Sequence, residues 1–221
     1  MHKVSVNNGS LYDGTEINIA IDKIQLSHMS SNNFPKKLAD NVTMYSADPI
    51  IYVVHDFLSK DECEEFINIA KKIGSEDINI YRVNHDASNL LHETSKRLSI
   101  LVQTPIRNAE KYLVTTFNEQ TIPTETIDSL NPETQSKLMK KDSGGQRLLS
   151  LMGALSEKDS SEVTFSELDL NIKLQIGEIL VLHNCYDGSI SPNPKSKYTI
   201  RATNKSVSWY LKLIFRERLI K

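Results

Sequence analysis

The stretch Ile50-Ile51-Tyr52-Val53-Val54-His55-Asp56-Phe57-Leu58-Ser59-Lys60-Asp61-Glu62-Cys63 decides the fold. Its first five residues are β-branched or aromatic and read as a buried strand. Ser59 followed three residues later by Glu62 is a capping box: the hydroxyl accepts an early helical amide and the carboxylate reaches back to the cap. Cys63, Phe66, Ile67, Ala70 and Ile73 then recur at helical spacing, and Gly74 is placed to close the helix. This strand and capped helix belong to a chain that places its helices first and its strands later, which is an α+β order.

Downstream, Thr104 as N-cap with Pro105 at the first helical position predicts a second helix to about Leu113. Leu113–Phe117 reads as a strand, Asn131-Pro132 signals a short helix to about Lys141, and Ser143-Gly144-Gly145 is a turn. From Arg147 onward the texture is strand after strand: 148–155, 163–165, 168–174, 178–183 and 207–215, separated by turn residues. Such spacing favours an antiparallel sandwich or barrel. Upstream, residues 1–48 are rich in Asn, Ser, Asp and Lys. Their short runs, Ile17-Ile19-Ile21 and Ile24-Leu26, sustain no core face. The expected organisation is an extended N-terminal arm over 1–48 and a β-rich domain over 49–221.

Composition narrows the function classes. A chain of 221 residues holds one domain, or one domain with an arm. Lys+Arg at 26 against Asp+Glu at 28 leaves a net charge of −2, so no nucleic-acid partner is expected. Eight glycines fall below the average usage of about 7%, which argues against glycine-rich phosphate-binding folds. Two cysteines, Cys63 and Cys185, can build neither a zinc site nor a disulfide framework and read as buried thiols of a reducing compartment. The N-terminus lacks the apolar core of a secretory signal, and no run approaches the roughly 18 apolar residues of a membrane span. An intracellular protein with no membrane partner is expected, a virion being possible.

The strand, Phe-Leu-Ser and acidic capped helix resemble the opening of the prolyl 4-hydroxylase-like 2-oxoglutarate/Fe(II) dioxygenases. The likeness continues in Gln146-Arg147-Leu148-Leu149-Ser150, in Ser161-Glu162-Val163-Thr164-Phe165 and in Ile176-Gly177-Glu178-Ile179-Leu180-Val181-Leu182. It ends with Ser206-Val207-Ser208-Trp209 and a last strand closing on Arg216-Glu217-Arg218. The resemblance spans about residues 49–218. It implies a double-stranded β-helix, a jelly-roll with flanking N-terminal helices packed on one sheet.

The resemblance also implies a metal site, and here the chain departs from it. Two histidines and a carboxylate would hold iron on one face, with open positions for 2-oxoglutarate and oxygen. The family's His-x-Asp falls on Thr126-Ile127-Asp128, so the carboxylate stays and the imidazole is lost. The distal histidine falls at Lys197-Tyr198, and no histidine follows His183. The lysine that would pair with 2-oxoglutarate falls on Ser208, removing a charge-assisted contact worth about 1.5–3 kcal/mol. Thr126, Asp128 and Tyr198 are thus vestigial metal-site positions and Ser208 a vestigial 2-oxoglutarate position. Neither a catalytic residue, a metal nor a cofactor is expected.

The leading expectation is a non-catalytic jelly-roll pseudoenzyme kept for binding or assembly. Its N-terminal arm would engage protein subunits of a larger structure, a phage virion being the specific version. One rival is a working dioxygenase with a non-standard metal site, which His183 could join beside Asp128. Another is a small-ligand sensor whose pocket is lined near Thr126, Asp128, Tyr198 and Ser208. His85 and His92 read as surface histidines rather than ligands. Trp209, Tyr210 and Phe215 read as sheet packing, Trp209 inward and Tyr210 outward, ahead of a base-stacking platform. Lys195, Lys197, Arg201 and Lys205 read as a solvated loop, with an anionic partner surface as the alternative.

Overall fold

The computed structural model describes residues 34–74, 79–118, 120–140, 142–156, 161–202 and 207–220. Three strands open it: β1 (Lys36–Ala39), β2 (Val42–Ala47) and β3 (Ile50–Val54), joined as an antiparallel meander. The arm boundary expected at residue 48 is corrected by this finding, because residues 36–47 already belong to the sheet. Val42, Met44 and Ser46 are buried in alternation with Thr43, Tyr45 and Ala47, the period of a half-buried strand. Ile17-Ile19-Ile21 and Ile24-Leu26 lie outside the described residues.

Helix α1 (Lys60–Ile73) follows, capped as its sequence specifies. The Glu62 amide donates to Ser59 Oγ at 3.2 Å, and the Ser59 amide donates to Glu62 Oε2 at 2.9 Å. Cys63, Phe66 and Ala70 are buried on one face. Gly74 ends the helix in an extended conformation rather than a left-handed one, and what demands glycine there is the Tyr81 ring packed against it.

After β4 (Ile80–Val83) the second helix departs from expectation. It is α2 (Asn89–Leu101), capped by Ser88, whereas Pro105 begins only the 3-10 turn Ile106–Asn108. Thr94 and Ser95 interrupt the apolar stripe of Leu91, Leu98 and Leu101, which disguises it. Both hydroxyls fold back onto carbonyls of the preceding turn, Thr94 onto Leu90 at 2.9 Å and Ser95 onto Leu91 at 2.7 Å, so a polar pair is buried without loss.

The remaining strands are β5 (Tyr112–Phe117), β6 (Arg147–Ala154), β7 (Ser161–Phe165), β8 (Leu170–Leu174), β9 (Ile179–His183), β10 (Thr199–Ala202) and β11 (Ser208–Arg216). The helix expected after Asn131-Pro132 is only a turn and the 3-10 segment Ser136–Met139. One sheet runs in the order β1-β2-β3-β9-β6-β11-β5-β4, and a smaller one in the order β10-β7-β8, with antiparallel pairing throughout.

Alternation along the strands of the large sheet gives each face its own core. Tyr52, Val54, Leu151, Val181, Leu211 and Leu213 meet Cys63, Phe66, Leu91 and Leu98 on the helix side. Ile51, Val53, Met152, Leu180, Leu182 and Tyr210 meet Val163, Phe165, Ile172, Leu174 and Tyr198 of the small sheet and its flank. The result is a mostly antiparallel, two-sheet architecture of jelly-roll type with helices on one outer face. Tyr210 therefore lies inside the sandwich, and the expected Trp209-in, Tyr210-out phase is corrected. Trp209 packs on the helix side, stacked with Tyr81 at 5.9 Å and beneath the Lys71 ammonium. Among the described residues no helix is long and apolar enough to cross a membrane.

Gly177 locks the opening of β9 to the turn before α1. Its φ is +81°, its amide donates to Ala154 O at 3.1 Å, and its carbonyl accepts the Leu58 amide at 2.8 Å. A Cβ there would collide with the Leu58 carbonyl. Replacing Gly177→Ala is expected to cost about 1–3 kcal/mol from backbone strain alone, with the collision adding to it. A urea midpoint indistinguishable from the parent would contradict this account.

Candidate functional site

A backbone bridge brings two of the expected metal positions side by side. The Thr126 amide donates to Tyr198 O at 2.8 Å and the Tyr198 amide to Thr126 O at 2.9 Å, which sets the 126–128 segment against the chain just before β10. Asp128 and Tyr198 are both buried, and the Tyr198 hydroxyl donates to Asp128 Oδ2 at 2.7 Å. Thr126 does not join them, since its hydroxyl turns back to the Thr124 carbonyl at 3.2 Å.

The third member comes from β11, where Ser208, Tyr210 and Lys212 occupy the inward phase. Lys212 Nζ donates to Asp128 Oδ1 at 2.7 Å and to the Tyr198 hydroxyl at 3.2 Å. Its side chain is 17% exposed and that of Asp128 only 3%, so the ion pair is screened little by solvent. Ser150 of β6 donates to Asp128 Oδ2 at 2.8 Å and accepts from Asn184 Nδ2 at 2.9 Å. Burial pushes the Asp128 carboxyl up, but the Lys212 ammonium and the Tyr198 and Ser150 hydroxyls outweigh it and hold it below its ordinary value. Burial, with the Asp128 charge adding to it, raises the Tyr198 and Tyr210 phenols well above theirs, so both stay protonated.

These residues do not fit the iron and 2-oxoglutarate of the resembled family. An ammonium has three donors and no lone pair, so it occupies Asp128 as a cation would and cannot itself ligate one. Thr126 is turned away, and Tyr198 is a neutral phenol committed to Asp128. Among the described residues no group of three or more His, Cys, Asp or Glu is arranged to hold a metal ion. Ser208 is fully buried, and among the described residues its hydroxyl and that of Tyr210 have no hydrogen-bond partner. Asp128, Tyr198 and Ser208, expected to line a pocket, are each buried.

The other candidates disperse. His183 lines a cavity with Tyr52, Leu101 and Leu149 on the helix side of the large sheet, while its neighbour Asn184 belongs to the Asp128 cluster. The sheet stands between His183 and Asp128, which corrects the idea that the two could share a metal. His92 is exposed as expected, but His85 is half-buried against the Tyr112 ring at 4.8 Å, and burial lowers its imidazole. Lys195, Lys197 and Arg201 are paired with Asp48, Glu125 and Glu162, so these charges are answered within the chain. Lys205 lies outside the described residues. Sequence reading missed Lys212. The signal was present: a lysine in the inward phase of a strand otherwise written Tyr210-Leu211-Lys212-Leu213-Ile214 requires a buried counter-charge.

No family model matches the chain, and no curated protein matches it. Its structural neighbours are prolyl 4-hydroxylase-like 2-oxoglutarate/Fe(II) oxygenases. A truncated form of the viral collagen prolyl hydroxylase vCPH from Paramecium Bursaria Chlorella virus-1 superposes with a TM-score of 0.63 at 18% identity, over 77% of this chain and 90% of that one. The same enzyme in its 2-oxoglutarate complex gives 0.61 at 18% identity, over 75% and 95%. A Pseudomonas putida prolyl-4-hydroxylase gives 0.50 at 11% identity, over 76% and 92%. At these identities what is shared is the fold.

The cluster predicts a thermodynamic cycle. Lys212→Met strands a buried carboxylate and is expected to lower stability by about 3–5 kcal/mol. The double variant Asp128→Asn, Lys212→Met removes both charges and should recover most of that loss in urea titrations. The pH dependence has a definite sign. A carboxyl whose folded pKa is depressed contributes fully above its unfolded value near 4, and the contribution disappears as pH falls through the folded value. Asp128→Asn should therefore flatten the acid limb of the stability curve below about pH 4. Identical acid limbs in parent and variant would refute the assignment.

Proposed function

We propose that this prolyl 4-hydroxylase-like fold serves here as a non-catalytic binding or assembly module. The observation that carries this reading is the Lys212 ammonium, hydrogen-bonded to Asp128 and Tyr198 at the two positions where the resembled family would place metal ligands. A resident cation supplied by the chain makes the cluster a structural clasp. Lys212 belongs to the large sheet, Asp128 and Tyr198 to the flank of the small one, and Ser150 and Asn184 complete the polar layer between them. The facing sets β9-β6-β11-β5 and β10-β7-β8, with the 126–128 segment beside Tyr198, support the finer assignment of a double-stranded β-helix.

In this proposal the partner is protein, engaged through residues of the N-terminal arm, whose Asn- and Ser-rich composition suits ordering on binding. The specific version is an intracellularly produced structural component of a phage virion. A chain that stays monomeric and without partner in its native particle or lysate would remove this assembly role.

The catalytic question has its own experiment. Titration with Fe(II) is expected to show no saturable stoichiometric binding, and incubation with Fe(II), ascorbate and 2-oxoglutarate to yield no succinate above the protein-free control. Stoichiometric iron binding with succinate turnover would instead establish a working dioxygenase with a non-standard site.

A further inference from the structure

A cavity of about 290 Å³ opens on the helix side of the large sheet, where β3, β6 and β9 end beside the turn that follows α2. Its floor is apolar: Tyr52, Leu101, Val102 and Leu149 belong to the helix-side core or pack on it. Its rim is the 185–190 loop, held by the Cys185–Pro192 bridge and by the Tyr186 amide donating to Ser191 O at 3.1 Å. That loop leaves Tyr186 45% and Ile190 50% exposed at the cavity mouth. No lysine or arginine lines the cavity, and Asp187 is its one charged residue, so an apolar occupant fits better than an anion.

The start of β1 lies close to this place. Lys36 pairs with Met44, and Met44 with Tyr52, so the start of β1 lies two strand spacings from the cavity floor, roughly 10 Å. Phe34 emerges from the same end of the sheet and on the same face, packed against the core that floors the cavity. The preceding sequence, Ile24-Gln25-Leu26-Ser27-His28-Met29-Ser30-Ser31-Asn32-Asn33, carries no Asp, Glu, Lys or Arg and offers three large apolar side chains. Met29 stands five residues before Phe34 and can reach at most ~17 Å from it. We propose that the Ile24–Met29 segment of the same polypeptide docks in this cavity, burying at least one of Ile24, Leu26 and Met29 beneath Tyr186 and Ile190. The dock anchors the root of the N-terminal arm and leaves residues 1–23 to reach outward. It does not depend on whether the Asp128 site is catalytic.

Cysteine cross-linking in the full chain tests it. In a Cys185→Ala background, Ile190→Cys is combined in turn with Ile24→Cys, Leu26→Cys or Met29→Cys, and with Asn8→Cys as control. Each variant is first required to keep the parental unfolding midpoint. Mild oxidation should give an intrachain disulfide at one or more of the three positions at least tenfold faster than the control, at a rate independent of protein concentration. Equal rates at all four positions would overturn the proposal. A disulfide-linked dimer would overturn it in favour of exchange between copies. A rim variant in the otherwise native chain, Ile190→Asp, gives a second readout. Tryptic cleavage after Lys23 should accelerate at least fivefold, and an unchanged rate counts against docking.

Discussion

A carboxylate sealed inside a protein must find a positive partner, and Asp128 finds it in Lys212. Removing one charge from water costs several kcal/mol even after relaxation, so neither residue is tolerable without the other. Their contact constrains three stretches far apart in sequence: the 126–128 segment, Tyr198 ahead of β10, and the inward face of β11. The rest of the polar layer follows from it. The two oxygens of Asp128 receive Lys212, Tyr198 and Ser150, and Asn184 in turn satisfies Ser150. A cluster so fully committed is costly to rearrange, which is why it reads as part of the frame rather than as a site awaiting a ligand.

The large sheet acts as a partition between two environments. Because strand side chains alternate, adjacent residues enter different cores: Trp209 meets the helices and Tyr210 the sandwich, His183 faces the cavity and Asn184 the Asp128 cluster. β11 is an interior strand, paired with β5 on one side and β6 on the other, and its inward residues Tyr210 and Lys212 face the sandwich. The helix side is governed by a second buried polar group. Glu62 caps α1 and also pairs with Arg97 of α2 at 2.9 Å, so the signal that starts one helix orients the other.

Legibility followed the range of the signal. The capping box, β3 and most strands after Arg147 rest on local patterns and could be read directly. The alternation that makes β2 was also present in Val42-Thr43-Met44, but the polar residues around it disguised it as arm. Helix α2 was hidden because Thr94 and Ser95 sit on its buried face, and only their return to the preceding carbonyls makes that harmless. Of the four positions expected at the site, Asp128 and Tyr198 are in contact. Thr126 meets Tyr198 only through its backbone, and Ser208 is buried at the start of β11 opposite Phe117.

The sequence by itself determined that no histidine follows His183, because identity at a position needs no coordinates. It also determined the strand Ile50–Val54 and the capped helix that follows it, since strand preference and capping are local physics. Only the tertiary structure decided what faces Asp128. Lys212 and Asp128 are 84 residues apart. Their 2.7 Å contact exists because β11 lies between β5 and β6 with Lys212 in its inward phase, and because Thr126 pairs with Tyr198 on the flank of the small sheet. Strand phase and sheet order are properties of the assembled chain, and they make Lys212, which local pattern left unassigned, the internal counter-ion of Asp128.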